Sequence, residues 1–242
     1  MSNLIYPGPF RGLAFTTLKT PGFATIAQRS ASKSSVNIAQ SYNPFWTWQL
    51  IYEVLFEDVA RSTSAFSPYS DIQELMGFFL ARQGMFDDFL YDDVDDDAVT
   101  NQGLQLVNDG AGNYYSPLQR NLGGQFFEDV TDLNPLNGSG LVVKANGVTQ
   151  TAGTCGVGGA TFELLGPGLA IPGYSFAGMY LKWCAMPTAP ITASFNFYFR
   201  VHFATDKQDF EKFVYNLWTI GGSEGKNGSG TLRLETSRPV MA

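Results

Sequence analysis

From Phe45 to Leu55 the chain alternates. Trp46, Trp48, Leu50, Tyr52 and Val54 fall on one side and Thr47, Gln49 and Glu53 on the other, a period of two that predicts a strand with one buried face. The same period returns at Ser194 to Phe203, where Phe195, Phe197, Phe199, Val201 and Phe203 face away from Ser194, Asn196, Tyr198, Arg200 and His202. Each ring buried there is worth roughly 1.5–3 kcal/mol, so this strand is expected at the centre of the core. A helical period governs the stretch from Ser70. Ser70 and Gln73 have capping-box spacing, Ile72, Leu75, Met76, Phe79 and Leu80 form a stripe, and Gly84 stops it, predicting a helix over about 70–83. A second helix is predicted over about 207–219, with Asp206 as cap, Phe210, Phe213, Val214 and Leu217 on one stripe, and a break at Gly221-Gly222. Leu232 and Leu234 then alternate with Arg233 and Glu235 in a terminal strand.

Turn chemistry fills the remainder. Tyr6-Pro7-Gly8-Pro9 and Thr20-Pro21-Gly22 bracket Leu13-Ala14-Phe15, an edge strand or arm. A polar stretch covers 30–35. Asn137-Gly138 and Asn146-Gly147 are turn dipeptides, the second set between Leu141-Val142-Val143 and Val148-Thr149-Gln150 as a hairpin requires. Residues 221–230 read as a flexible linker. The expected fold is mainly β (α+β) and antiparallel, with two packed helices. It forms one domain over 1–242 built from about 1–110 and 193–242, with about 111–192 as a β-hairpin-rich insertion.

Composition agrees with a packed interior: 242 residues, 44% hydrophobic, with 20 Phe, 11 Tyr and 4 Trp. The formal charge of −7, with no cluster of Lys or Arg, disfavours nucleic acid as a partner. The chain begins without a signal-like segment and holds no apolar span of about 18 residues, so a soluble protein made in the cytoplasm, with no membrane insertion, is expected. Cys155 and Cys184 suit neither a disulfide framework nor a zinc site and are expected as two buried thiols.

Candidate catalytic patterns fail on mechanics. Gly221-Gly222-Ser223-Glu224-Gly225 matches a nucleophile elbow, yet a helix is expected before it, a loop after it, and the single histidine, His202, lies upstream. Asp93, Asp95 and Asp97 occupy the first ligand positions of an EF-hand, but Ala98 replaces the turn glycine and Leu104 the closing Glu. Gly156-Val157-Gly158-Gly159 leads into a strand at Thr161 to Leu164 and is a turn, with no dinucleotide fingerprint. Glu74, Glu128 and Glu163 are available as a glycosidase pair, and nothing singles them out. No enzyme activity and no cofactor is expected.

Several segments in order resemble the distal tail proteins of long-tailed, siphovirus-type phages and gene transfer agents. They are Gly12-Leu13, Lys19-Thr20-Pro21, Asn43-Pro44, Trp46-Thr47-Trp48-Gln49-Leu50, Gly77 to Gly84, Phe86 to Asp93, Tyr115 to Arg120, Ala145-Asn146-Gly147, Gly166-Pro167-Gly168, Phe199-Arg200-Val201 and Phe210 to Phe213. The resemblance implies a β-sandwich belt-type domain and a homohexameric ring at the virion tail tip. The ring would join the tail tube protein to the hub or baseplate protein, with the tape measure protein a further candidate partner, and would have no active site. It also gives Asp92, Asp93, Asp95, Asp96, Asp97, Arg200 and His202 a place at subunit or partner contacts, where charges set register and reject wrong partners. The N-terminal arm and the 221–230 loop are the expected reach toward neighbours. A carbohydrate-binding module of a tail tip and a cell-wall-degrading glycosidase are the competing readings.

Overall fold

The computed structural model of the chain describes residues 3–10, 12–14, 17–29, 35–39, 43–58, 69–124, 126–134, 140–167, 170–171, 174–175, 178–221 and 231–237. The polar residues 30–34, the Asn137-Gly138 turn and the linker at 222–230 lie outside them. The fold is mainly β and sandwich-like, built of antiparallel sheets, with one α-helix among the described residues. The described residues divide into two compact units, one within 1–91 and 200–237, the other within 92–199. The second crossing falls inside the strand Ile191–Phe203.

In the first unit, strand Phe45–Ile51 pairs with Leu18–Gly22 on one side and Thr231–Thr236 on the other, and Thr231–Thr236 pairs onward with Val201 to Phe203. The predicted alternation is realised: Trp48, Leu50 and Tyr52 are almost wholly buried. Lys19 lies with its Nζ 4.9 Å from the Trp46 ring and 5.4 Å from that of Trp48, a cation–π seat that covers the indoles. Gly12 runs against the end of this strand. A Cβ there would sit 1.5 Å from the Val54 carbonyl oxygen, so glycine is what permits the crossing.

The helix spans Asp71–Arg82. Ser70 accepts from the Gln73 N–H while the Gln73 side chain accepts from the Ser70 N–H, and Gln83 ends the helix in the left-handed region at φ 54°. Ile72, Leu75 and Phe79 are buried, but Leu80 turns out to solvent. Phe203 meets Phe79 at 4.9 Å and Phe89 at 4.8 Å, and Phe78 meets Phe89 at 5.0 Å. These tilted and edge-on rings form an aromatic centre that gains beyond its buried area.

The second helix, expected at 207–219, is instead a hairpin of Asp209–Val214 and Leu217–Gly221, turned at Tyr215-Asn216 with Asn216 at φ 62°. Phe210, Phe213 and Val214 have helical spacing but no core to face: Phe213 and Val214 are about half exposed. The β-forming run Leu217-Trp218-Thr219-Ile220 decides the outcome. It pairs with Leu55–Phe56, buries Ile220, and sends the Thr219 hydroxyl to the Tyr52 carbonyl at 3.0 Å. Asp206, expected as a helix cap, accepts from the Met85 N–H at 3.0 Å. A strand thus precedes Ser223, where a helix was expected; Ser223 itself lies outside the described residues.

In the second unit, the stretch from Ile191 to Phe199 pairs with Ala98–Gly103, Val142–Ala145 and Asp132–Leu133. Asn146 and Gly147, both at positive φ, join Val142–Ala145 to Val148–Thr149 in the predicted hairpin. A further sheet runs in the order Phe162–Leu165, Tyr180–Trp183, Tyr114–Pro117, Val107–Asn108, around Val107, Tyr115 and Tyr180. The buried Trp183 indole N–H donates to Ser116 Oγ at 3.0 Å. Cys155 and Cys184 are not buried thiols. They form a disulfide across 29 residues, with Cys184 exposed, and spacing along the chain could not reveal that the 154–159 turn ends beside the strand Tyr180–Trp183.

Buried polar pairing makes the first unit sensitive to alkali. The Tyr6 and Tyr52 hydroxyls meet at 2.9 Å inside the aromatic centre. Burial pushes Tyr52 up to about 12 and raises Tyr6 well above the ordinary value of 10. The folded state therefore favours the neutral hydroxyls. Their stabilisation is complete below about pH 10, where the unfolded chain ionises, and is lost as pH rises toward 12. Urea unfolding is expected to show a loss of about 2 kcal/mol from Tyr52 alone between pH 9 and 11.5, and a Tyr52→Phe variant should lose clearly less over that interval. Equal losses in both proteins would refute the assignment.

Candidate functional site

The acidic run that the sequence singles out is mostly occupied within its own unit. Asp93 to Asp96 form a turn closed by the Asp96 N–H on the Asp93 carbonyl at 2.7 Å, and the Asp93 residue is buried. Asp92 accepts from Asn134 Nδ2 at 3.5 Å. Asp97 accepts from Asn196 Nδ2 at 3.5 Å and, through its carbonyl, from the Phe197 N–H at 2.8 Å. Asp95 is the member exposed to solvent.

What organises this turn is Arg120, only 3% exposed, on strand Gln119–Asn121. Its Nε and Nη2 both donate to Glu128 Oε2, at 2.8 and 2.7 Å, and its Nη1 donates to Asp96 Oδ2. Glu128 sits directly opposite on the paired strand Phe127–Asp129. The guanidinium also lies 5.4 Å from the Phe197 ring and 4.9 Å from that of Phe199. One buried cation thus binds two carboxylates and two rings, which ties the aspartate turn to the phenylalanine strand. Neither Arg120 nor Glu128 was assigned this role from sequence, since pairing across a short hairpin has no chain-distance signature.

Of the other two site candidates, Arg200 donates through Nη2 to Asn3 Oδ1 at 3.2 Å, and His202 is half-buried opposite Glu235 on strand Thr231–Thr236. Tyr198, expected on the polar face, is buried. Its hydroxyl is raised above the ordinary value by that burial and by nearby Asp92. Among the described residues no three His, Cys, Asp or Glu side chains are placed to hold a metal ion, and no helix is long and apolar enough to cross a membrane.

The surface that stands out is a hairpin. Strands Thr25–Arg29 and Ser35–Ala39 pair with each other and form a sheet of their own. All ten residues are exposed. The register places Ile26 opposite Ile38 and Gln28 opposite Val36 on one face, and Ala27 opposite Asn37 on the other. Ile26, Val36 and Ile38 are 44%, 58% and 51% exposed, so three β-branched side chains form an apolar patch on one side of a two-stranded ribbon. Such a ribbon is marginally stable in water without something packed on it. Two short alternating runs flanking a Ser-rich segment were the available signal. They are too brief and too polar to stand out beside the Trp and Phe strands.

No protein-family model matches the chain, and no curated protein sequence matches it.

The Arg120 cluster gives a direct test of how the second unit is held. Removing the cation takes from buried Glu128 the two charged hydrogen bonds it accepts from Arg120, and loss of one member of a buried pair costs about 3–5 kcal/mol. Arg120→Met should destabilise by that order in denaturant unfolding, and Arg120→Met combined with Glu128→Gln should recover part of it. If the double variant loses the full sum of the two single losses, Arg120 and Glu128 are not coupled.

Proposed function

We propose that the chain is a structural virion protein, the distal tail subunit of a long-tailed phage or related particle. Six copies form a ring between the tail tube protein and the hub or baseplate protein at the tail tip. The observation that carries this reading is the self-paired, fully exposed hairpin of Thr25–Arg29 and Ser35–Ala39, whose apolar face is suited to association. An apolar patch left in water marks a surface that meets something else, and a subunit that must recognise identical neighbours needs one.

Other features support the same reading. The segments of resemblance in the first 50 residues lie on ordered elements that flank the hairpin in sequence: Gly12 against Val54, Lys19 over the tryptophans, and Trp46 to Leu50 in the sheet that strand Leu18–Gly22 extends. The Cys155–Cys184 disulfide suits a protein whose working life is spent in an oxidising environment, as that of a released particle is. The aspartates of 92–97 belong in this account to the internal scaffold more than to the contact surface, with Asp95 the one positioned to meet a partner.

Native mass spectrometry of the purified full chain tests the proposal. The expected result is a closed six-copy assembly at micromolar concentration. A monomer that persists up to tens of micromolar and binds a glycan saturably would replace the ring with the carbohydrate-binding reading.

A further inference from the structure

The Cys155–Cys184 disulfide holds a loop tip that has no other bonded anchor among the described residues. The two ends of the loop, at 151 and 161, are tied to each other. The Thr161 N–H donates to the Thr151 carbonyl at 2.9 Å, the Thr151 N–H to Thr161 Oγ1 at 2.9 Å, and the Gly153 N–H to the Phe162 carbonyl at 2.9 Å. Beyond that base the chain turns on itself. The Val157 N–H donates to the Thr154 carbonyl at 3.1 Å and the Ala160 N–H to that of Val157 at 3.2 Å. Among the described residues no hydrogen bond or ion pair joins 154–160 to anything outside the loop.

Packing does not replace those bonds. Val157 is the one large apolar side chain of the tip, and it is 66% exposed. Gly156, Gly158 and Gly159 all sit at positive φ, and a Cβ at any of them would meet nothing within 4 Å. Glycine regains more backbone freedom than any other residue once a constraint is lifted. The covalent link is therefore the bond that fixes the tip.

The two sulfurs differ in access. Cys155 is half-buried, whereas Cys184 is exposed just past strand Tyr180–Trp183. Cys184 lines an open cleft of about 410 Å³ together with Asn146, Gln150, Thr161, Trp183 and Thr188, and Cys155 does not. That volume lies in the range of small-ligand sites, and amide and hydroxyl side chains are there to meet a peptide. Access decides which sulfur of a disulfide an incoming thiolate attacks, and exposed disulfides are the exchangeable ones.

We propose that the Cys155–Cys184 disulfide is a thiol-exchange site, attacked at Cys184 by a small peptide thiol of the glutathione class, and that its redox state sets whether the 154–160 tip is fixed. The thiolate sulfur bonds to Cys184 Sγ, the Cys155–Cys184 bond breaks, and Cys155 leaves as a thiolate that takes a proton from water. A second small thiolate then attacks the first at its sulfur and frees Cys184. The two protein sulfurs are reduced to thiols, and the two small thiols are oxidised to their own disulfide. Glutathione disulfide runs the sequence backwards. In reducing surroundings the tip is released, and the bonds at 151, 153, 161 and 162 confine the change to it. Nothing in this step depends on ring formation.

Two measurements on the full-length chain test it. Oxidised protein is incubated with reduced glutathione, sampled over time, quenched by alkylation and mapped by peptide mass spectrometry. The expected species is a glutathione adduct on Cys184 with Cys155 alkylated. A broad-specificity protease is then applied to the oxidised protein, the reduced protein and the double variant Cys155→Ser with Cys184→Ser. Cleavage within 154–160 is expected to be about tenfold faster or more in the last two, with the circular dichroism of the folded chain retained. If the double variant does not fold, the reduced parent carries the comparison. A disulfide that forms no adduct under native conditions, or that is attacked chiefly at Cys155, overturns the exchange site. Unchanged cleavage within 154–160 overturns the control of the loop. So does unfolding of the parent on reduction, which would make the bond a staple of the whole unit.

Discussion

The strand Ile191–Phe203 is the constraint from which the rest of the structure follows. Its pleat sends alternate side chains to opposite faces, and every odd-numbered residue along its 13 positions is buried. Ile191, Ala193, Phe195, Phe197 and Phe199 serve the second unit, and Val201 and Phe203 the first. A slip of one residue in register would exchange four phenylalanines for Asn196, Arg200, His202 and the like, so the pairing partners have one acceptable alignment. The one extra residue that Ala98–Gly103 carries opposite Ala193 to Phe195 lets that partner follow without disturbing the burial pattern.

A strand so rich in aromatic rings also explains how an arginine can be buried beside it. The Arg120 guanidinium loses water, but gains two carboxylates and two ring faces. Arginine's planar, weakly hydrated head tolerates that exchange better than a lysine would. The aspartate run is therefore largely architectural. Its backbone turns at Asp93 to Asp96 so that one carboxylate reaches the arginine, while Asp97 and Asn196 knit the turn to the same strand. The density of acids that suggests an ion site in the bare sequence is in part the counter-charge of one internal cation.

Legibility followed the strength of local periodicity. Phe45–Ile51, Ile191–Phe203, the helix Asp71–Arg82 and the Asn146-Gly147 hairpin each carry a pattern that local geometry alone enforces: period two, period 3.6 with a capping box, or a dipeptide that tolerates positive φ. The stretch 207–219 carries two patterns at once. Helical spacing of Phe210, Phe213 and Val214 competes with the β-forming Leu217 to Ile220, and tertiary pairing with Leu55–Phe56 settles it. The disulfide and the Arg120 cluster depend on residues brought together from separate parts of the chain, which no local period encodes. The exposed hairpin was missed for a further reason: patterning is read by asking which face meets the core, and this element has no core of its own.

That last property bears on why the hairpin is not simply a liability. An exposed apolar ribbon with open edges is a template for indiscriminate pairing. Here the apolar face is narrow, three side chains on one side, while Thr25, Asn37 and Arg29 occupy the other. A face that narrow gives a mispaired ribbon little apolar surface to bury, and the polar residues behind it keep the opposite side in water.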